Sequence, residues 1–147
     1  MQIKYKAWDK KEERMWLVDS IYLTEGTVDI YIFEENEETG QVARVSNFNF
    51  SIKDRLELMQ YTGLKDKNTK EIYFDDLVKY TDEFGTRLGK IAFSLKMCAI
   101  YIEYADGSAT FGGRELFEDC EVIGNIYTDK ELMGVKNDKK KSKTRRK

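Results

Sequence analysis

The sequence predicts a mainly β protein, with an antiparallel sheet and a short helix in the N-terminal half and a small β-barrel in the C-terminal half. Three observations support this fold class: apolar and polar residues alternate with period two in many short segments, turn residues separate these segments, and helical spacing is rare. The 147 residues, of which 41% are hydrophobic and 13% aromatic, suffice for one domain or for two small ones that share a core.

The N-terminal half begins with four predicted strands. Branched and aromatic residues dominate them, and Glu25-Gly26 and the charged segment 34–40 provide turns between them. The predicted strands are Ile3–Trp8, Met15–Leu23, Thr27–Phe33 and Gln41–Ser46.

A short helix is predicted from Ser51 to Leu58. Ser51 can cap its first turn, and Ile52, Leu56 and Met59 recur at helical spacing. After this helix, segments 59–62 and 71–73 are predicted to be extended, with a polar turn at 65–68 between them.

The C-terminal half is predicted to form a small SH3-like barrel, because five short strands follow each other closely. Asp106-Gly107 predicts a two-residue hairpin turn, which would place Tyr104 and Thr110 on neighbouring antiparallel strands. One helical turn is predicted within 114–120. The strands are predicted at Leu77–Thr81, Leu88–Ser94, Ala99–Tyr104, Ala109–Phe111 and Val122–Tyr127.

Charge divides the chain into a body and a tail. Six Lys, two Arg and one Asp give residues 136–147 a charge of +7, which leaves −9 for residues 1–135 of the formal net charge of −2. The predicted organisation is an N-terminal β-rich subdomain with a linker at 1–73, a small barrel at 74–135 and a disordered basic tail at 136–147.

Catalysis is not predicted, because the chain has no His at all. This excludes serine triads of the common type, Cys-His dyads and Cys/His zinc sites. Cys98 and Cys120 are solitary and are expected to be structural thiols. Glu71, Asp75 and Asp76 could hold Mg²⁺ if they converged, but solvated acidic faces explain them better. We therefore predict neither a cofactor nor a metal.

Membrane spans and export signals are not expected either. No segment approaches the roughly 18 apolar residues of a membrane helix, and residues 1–10 lack the apolar segment of a signal peptide. The protein is expected to stay in the cytoplasm of the cell that makes it.

The 19 aromatic residues exceed what one compact core of this size must hold. Exposed aromatic side chains in an acidic body favour protein contacts over nucleic acid, since Tyr and Trp anchor interfaces and carboxylates repel phosphate. The alternative is that the aromatics are covered within the chain or by self-association. The candidate protein-binding residues are Trp8, Trp16, Tyr22, Tyr31 and Tyr61.

The basic tail supports a second hypothesis, in which the protein associates with nucleic acid. Cations without interleaved aromatics bind phosphate weakly and without sequence preference. The candidate residues are Lys139, Lys140, Lys141, Lys143, Arg145, Arg146 and Lys147.

Three blocks of the sequence resemble the YopX family of phage and prophage proteins. They are Ile3 to Asp9, Leu58 to Tyr73 with Asp76-Leu77-Val78 after it, and Cys120 to Tyr127. The resemblance implies a β-rich fold with a small C-terminal barrel, self-association and phage origin. The expected location of the protein is therefore the cytoplasm of a bacterial host. It implies no reaction. Together with the acidic body, it supports the hypothesis that the chain is a phage accessory protein that contacts a host or phage protein through an acidic, aromatic-rich surface.

The chain departs from the family pattern at three places. Family members typically carry Gly at the position of Thr69, Glu-Gly at the position of Phe74-Asp75, and Pro at the position of Lys130. A bulky Phe74 at a turn suggests local repacking.

Overall fold

The computed structural model describes residues 2–35, 38–46 and 49–132, and for 31–35, 42–46 and 49 it describes the backbone only. The chain divides into two compact units, an N-terminal unit at Ile3–Gln60 and a C-terminal unit that begins at Tyr61. This division lies between residues 60 and 61. The sequence analysis places the end of the N-terminal subdomain and its linker later, at residue 73. The tail at 136–147 lies outside the described residues.

The N-terminal unit is an antiparallel sheet, as the sequence predicts. The strand order is β4-β3-β2-β1-β6, and β5 pairs with β3. Within it Ala7 lies opposite Trp16 on β2 and opposite Leu58 on β6. The strands are β1 Tyr5–Asp9, β2 Arg14–Tyr22, β3 Thr27–Glu35, β4 Val42–Ser46, β5 Asn49–Ser51 and β6 Leu56–Lys65.

The predicted helix from Ser51 to Leu58 is wrong. Ser51 does cap a turn, since its hydroxyl accepts a hydrogen bond from the Asp54 amide (3.2 Å). The turn then ends, because β6 begins at Leu56 and pairs with β1, which buries Leu56 and Met59. Backbone pairing with β1 outweighs the weak local preference for helix at these positions.

The core of the N-terminal unit lies between alternating side chains of several strands. Val18 and Leu58 pack at its margin, because period-two alternation directs them to the same side as the buried residues. Ile21 packs there too, because a register shift between Val18 and Ser20 changes the phase of the alternation along β2. Its buried members are Ala7, Trp16, Val28, Ile30 and Leu56.

The C-terminal unit contains a five-stranded antiparallel sheet in the order β11-β10-β9-β8-β12. A separate strand, β7, pairs with Tyr61–Lys65 of β6. The pairings of the described residues form no closed barrel, so the SH3-like barrel is not confirmed. The elements are β7 Glu71–Tyr73, β8 Asp76–Asp82, β9 Gly85–Ser94, β10 Ala99–Tyr104, β11 Ala109–Phe111, α1 Arg114–Glu118, β12 Glu121–Asn125 and a 3-10 turn at Lys130–Leu132.

The hairpin between β10 and β11 confirms the predicted neighbours but not the predicted turn. Tyr104 and Thr110 lie on adjacent antiparallel strands, and their hydroxyl groups are 2.7 Å apart. The loop has three residues instead of two, because the Tyr104 amide donates to the Ser108 carbonyl (2.9 Å). Gly107 follows the turn with φ 88°, a left-handed conformation that suits glycine.

The core of the C-terminal unit consists of side chains from one face of the sheet, from strand β7 and from helix α1. Phe117 from α1 and Ile72 from β7 are buried in it, with Leu64, Phe74 and Tyr80 at its margin. Its buried members are Ile72, Val78, Ile91, Ile102, Tyr104, Phe117, Cys120 and Val122.

At two positions where family members typically carry glycine, this chain has residues with a left-handed backbone conformation. Thr69 has φ 63° and Asp75 has φ 72°. A left-handed conformation is unfavourable for a β-branched residue such as Thr, whereas Asp tolerates it better.

Replacing Thr69 with Gly is expected to stabilise the protein by about 1 kcal/mol. Relief of the left-handed strain at Thr69 (about 1–2 kcal/mol) exceeds the entropy that glycine loses on folding (about 0.5–1 kcal/mol). Urea denaturation followed by circular dichroism measures the change. Lys70→Gly is the matched control, because Lys70 is not among the positive-φ residues, and this variant should be destabilised. A Thr69→Gly protein less stable than the parent would contradict the prediction.

Candidate functional site

The structure places the five predicted protein-binding aromatics in different environments. Trp8, Trp16 and Tyr61 are buried, so the prediction that they form an exposed surface is wrong. Tyr22 is 43% exposed, and its hydroxyl donates to the Asp29 carboxylate (3.2 Å). Only the backbone of Tyr31 is described. The alternative given above, coverage within the chain, therefore holds for three of the five.

A buried ion pair explains why Trp16 faces inward. The Asp9 carboxylate is fully buried and accepts a hydrogen bond from the Trp16 indole Nε1 (3.0 Å). Arg55 donates to both oxygens of the same carboxylate through Nε (2.8 Å) and a terminal nitrogen (2.7 Å). The Arg55 guanidinium holds the pKa of Asp9 well below its usual range. Every group in this cluster has a partner, so we assign it to structure.

Two of the three carboxylates considered for Mg²⁺ accept hydrogen bonds within the C-terminal unit. The Tyr73 amide donates to Asp76 (2.7 Å) and the Tyr127 hydroxyl donates to Asp75 (3.4 Å). Asp75 also joins two elements through its backbone, since its amide donates to Ile91 and its carbonyl accepts from Ile126. Across the described residues, no three or more Asp, Glu or Cys side chains converge where they could hold a metal ion.

The two cysteines differ in accessibility. Cys120 is buried in the C-terminal core, and burial raises the pKa of its thiol to about 12. Cys98 is exposed in the loop between β9 and β10.

A thiol reagent at neutral pH is therefore expected to modify Cys98 and to leave Cys120 unreacted in the folded protein, since reaction requires an accessible thiolate. Mass spectrometry of the intact chain should show one added label, and two after denaturation in urea. Equal labelling of both residues under native conditions would contradict this.

The hairpin formed by β9 and β10 exposes large apolar side chains at and next to its loop. Leu95 is 84% exposed, Met97 60% and Phe93 48%. We call the segment Phe93–Cys98 the β9–β10 tip. Single exposed apolar residues are ordinary on protein surfaces, whereas three within five residues of chain make this hairpin a candidate contact site.

Local hydrogen bonds fix the conformation of the β9–β10 tip. The Met97 amide donates to the Ser94 hydroxyl (3.2 Å), and the Cys98 thiol approaches the Leu95 carbonyl (3.5 Å). Ala99 then pairs with Ser94 to resume the ladder. From the neighbouring turn, the Phe74 ring packs edge-on against Phe93, with ring centroids 6.4 Å apart. The bulky Phe74 side chain therefore contacts β9.

The charge of this region differs from that of the chain. No acidic residue lies between Glu83 and Glu103, whereas the segment contains three basic residues. Arg87 pairs with Asp82 (2.9 Å) and Lys90 pairs with Glu103 (3.4 Å). Lys96 forms no ion pair with any residue that the structure describes, and it lies between Leu95 and Met97.

Sequence reasoning missed the β9–β10 tip, although a signal was present. Hairpin loops are normally rich in Gly, Asn, Asp and Ser, whereas Leu95-Lys96-Met97-Cys98 contains none of them. The same signal occurs at Phe84, which is 86% exposed between β8 and β9.

Among the described residues, no helix is both long and apolar enough to cross a membrane. A comparison with curated proteins gives no significant match.

Two solved structures share the fold. The crystal structure of protein EF1440 from Enterococcus faecalis is 24% identical with a TM-score of 0.61, over 90% of this chain and 98% of that one. The crystal structure of protein YopX from Bacillus subtilis is also 24% identical, with a TM-score of 0.50, over 92% of this chain and 99% of that one. Residues 4–134 match the profile of the YopX protein family. The match covers most of the 147 residues, and the chain belongs to the YopX family.

Proposed function

We propose that this chain is a non-catalytic phage or prophage accessory protein that binds a host or phage protein. Its place of action would be the cytoplasm of the bacterial host, and self-association is part of the proposal. Membership of the YopX family supports the phage origin. The three-part organisation at 1–73, 74–135 and 136–147 also remains a proposal.

The observation that carries this proposal is the exposure of Phe93, Leu95 and Met97 on one hairpin. Burying such side chains in a partner contributes about 1.5–3 kcal/mol for each one that becomes fully buried. Residues 61–132 contain fourteen acidic and nine basic side chains, and their excess negative charge disfavours a phosphate backbone as the partner. The contact surface we propose is therefore the β9–β10 tip, which belongs to an acidic body. The buried tryptophans are no longer part of the proposed surface.

Affinity capture from a lysate of the bacterial host tests the proposal. Immobilised full-length protein is compared with the double variant Leu95→Ser/Met97→Ser and with Phe84→Ser as a matched control. Phe84 is as exposed as Leu95 but lies beyond the opposite end of β9. We expect one retained protein to be lost with the double variant and kept with the control. Retention of the same proteins by all three would contradict the proposal.

The charge of +7 on residues 136–147 favours a second candidate, nonspecific nucleic-acid binding through Lys139, Lys140, Lys141, Lys143, Arg145, Arg146 and Lys147. Fluorescence anisotropy with a labelled DNA duplex should then show binding that weakens steeply with salt and disappears when residues 136–147 are removed. Binding that is independent of salt, or that survives the truncation, would contradict this candidate.

A further inference from the structure

We infer that the partner of the β9–β10 tip presents an apolar pocket bordered by a carboxylate, which pairs with Lys96. This inference rests on the proposed function and adds the chemistry of the partner surface.

Lys96 places a positive charge within the apolar surface of the β9–β10 tip. Lys96 is exposed between Leu95 and Met97, so any surface that covers both apolar side chains also approaches the ammonium group. A cation brought into an interface loses hydration, and this loss is offset only by an opposite charge or by hydrogen-bond acceptors. A partner without such a group would disfavour contact at this position.

The other nearby cations already have carboxylate partners. Arg87 and Lys90 have carboxylate partners on their own sheet. Lys96 has no such partner among the described residues, and its charge is therefore available for pairing with an external carboxylate. Charge complementarity thus favours an acidic partner at the tip, although the body as a whole is acidic.

The β9–β10 tip is ordered by contacts within the chain. The hydrogen bonds from Met97 to Ser94 and from Cys98 to Leu95, together with the Phe74–Phe93 contact, order the tip before binding. An ordered loop loses less conformational entropy on association than a disordered one. The tip can therefore present its apolar side chains to a protein partner at a low entropic cost.

A membrane surface is less favourable than a protein. One lysine provides little attraction to anionic lipid, and the charge of −9 on residues 1–135 opposes approach. Stable membrane binding generally needs both an inserted apolar group and a polybasic patch.

Selection from a displayed library of random twelve-residue peptides tests the inference on the full-length protein. Peptides are selected on the parent chain and counter-selected on Leu95→Ser/Met97→Ser, which removes those that do not need the tip. We expect the remaining peptides to combine large apolar residues with Asp or Glu. Their affinity, measured by calorimetry, should fall at least tenfold in Lys96→Glu and be retained in Lys96→Arg.

Cys98 provides a second measurement that needs no substitution. A bound peptide should slow alkylation of Cys98, which lies in the tip, while Cys120 stays unreacted. Phe84→Ser should bind the same peptides as the parent, and unchanged thermal unfolding of each variant shows that it is folded.

The outcomes separate the inference from the proposed function. Tip-dependent peptides with no acidic residues, or equal binding by Lys96→Glu, would overturn the inference and leave the proposed function standing. The absence of any tip-dependent peptide, together with unchanged capture from lysate, would overturn both. Binding of the parent chain to phosphatidylcholine–phosphatidylglycerol vesicles that is lost in Leu95→Ser/Met97→Ser would overturn the inference in favour of a lipid surface.

Discussion

Replacing Asp9 with Asn is expected to destabilise the N-terminal unit by about 3 kcal/mol. The carboxylate is fully buried and accepts hydrogen bonds from Trp16, Arg55 and the Lys11 amide. Removal of one member of a buried ion pair leaves the other uncompensated, at a cost of about 3–5 kcal/mol. The lower value applies because the Arg55 side chain keeps 23% exposure and can be partly hydrated. Both tryptophans lie in this unit, so urea denaturation followed by tryptophan fluorescence measures the change.

The pH dependence of this effect has a definite sign. Because the folded pKa of Asp9 is lowered, its contribution to stability is complete above the pKa of the unfolded chain, about 3.9. It is lost as the pH falls from there toward the lower folded pKa. The stability difference between the parent and Asp9→Asn should therefore be constant above about pH 5 and should shrink below about pH 4.

Asp82→Asn is the control for the Asp9 prediction. Asp82 pairs with Arg87 in the same charge combination, but that pair is partly exposed to solvent (41% for Arg87). Solvent screening makes such pairs contribute little to stability. An equal effect of the two substitutions, or a loss in Asp9→Asn that does not change with pH, would contradict our interpretation of Asp9.

Replacing Asp66 with Ala is expected to destabilise the C-terminal unit by about 3 kcal/mol. The buried Asp66 carboxylate accepts hydrogen bonds from the amides of Asn68 (2.8 Å), Lys70 (2.9 Å) and Val122 (2.9 Å). The Val122 amide is buried, and a buried amide without a partner costs about 1–3 kcal/mol. Asn68 and Lys70 lie in an exposed turn where water can replace the carboxylate, so each of their hydrogen bonds contributes only about 0.5 kcal/mol, which gives a total of about 3 kcal/mol. The Val122 contact ties β12 to a turn 56 residues earlier in the sequence.

The alkylation rate of Cys120 measures this loss directly. Cys120 lies next to the affected contacts, since the Lys67 amide donates to its carbonyl (2.9 Å). Because Cys120 is buried, reaction requires opening of the C-terminal core, and about 3 kcal/mol should accelerate it about a hundredfold. Asp106→Ala is the control, because Asp106 accepts the Ser108 amide in a similar turn that is exposed. Equal alkylation rates in the Asp66→Ala and parent proteins would contradict the role assigned to Asp66.

Most strands could be predicted, because a strand shows a local alternation of apolar and polar residues that turn residues interrupt. Ala99–Tyr104 and Ala109–Phe111 occur with the predicted bounds, since alternation and the Asp106-Gly107 turn lie within a few residues of each other. The family resemblance also predicted two positions at which glycine is typical, those of Thr69 and Asp75. Their left-handed φ values show why glycine suits these positions.

The helix and the binding residues could not be predicted in the same way. Ser51 to Leu58 has helical spacing, but the decisive interaction is pairing with β1, about 50 residues earlier. Trp16 is one of the candidate binding residues, yet its indole donates to the buried Asp9 carboxylate, which Arg55 also contacts, and no local pattern connects Asp9 with Arg55.

The sequence by itself determined the mainly β class, most strand positions and the absence of imidazole chemistry, because each depends on composition or on neighbours along the chain. Only the tertiary structure decided which aromatic side chains are buried and that Phe93, Leu95 and Met97 are exposed. The physical reason is that burial depends on contacts between distant segments, and alternation alone does not show which face of a strand another segment covers.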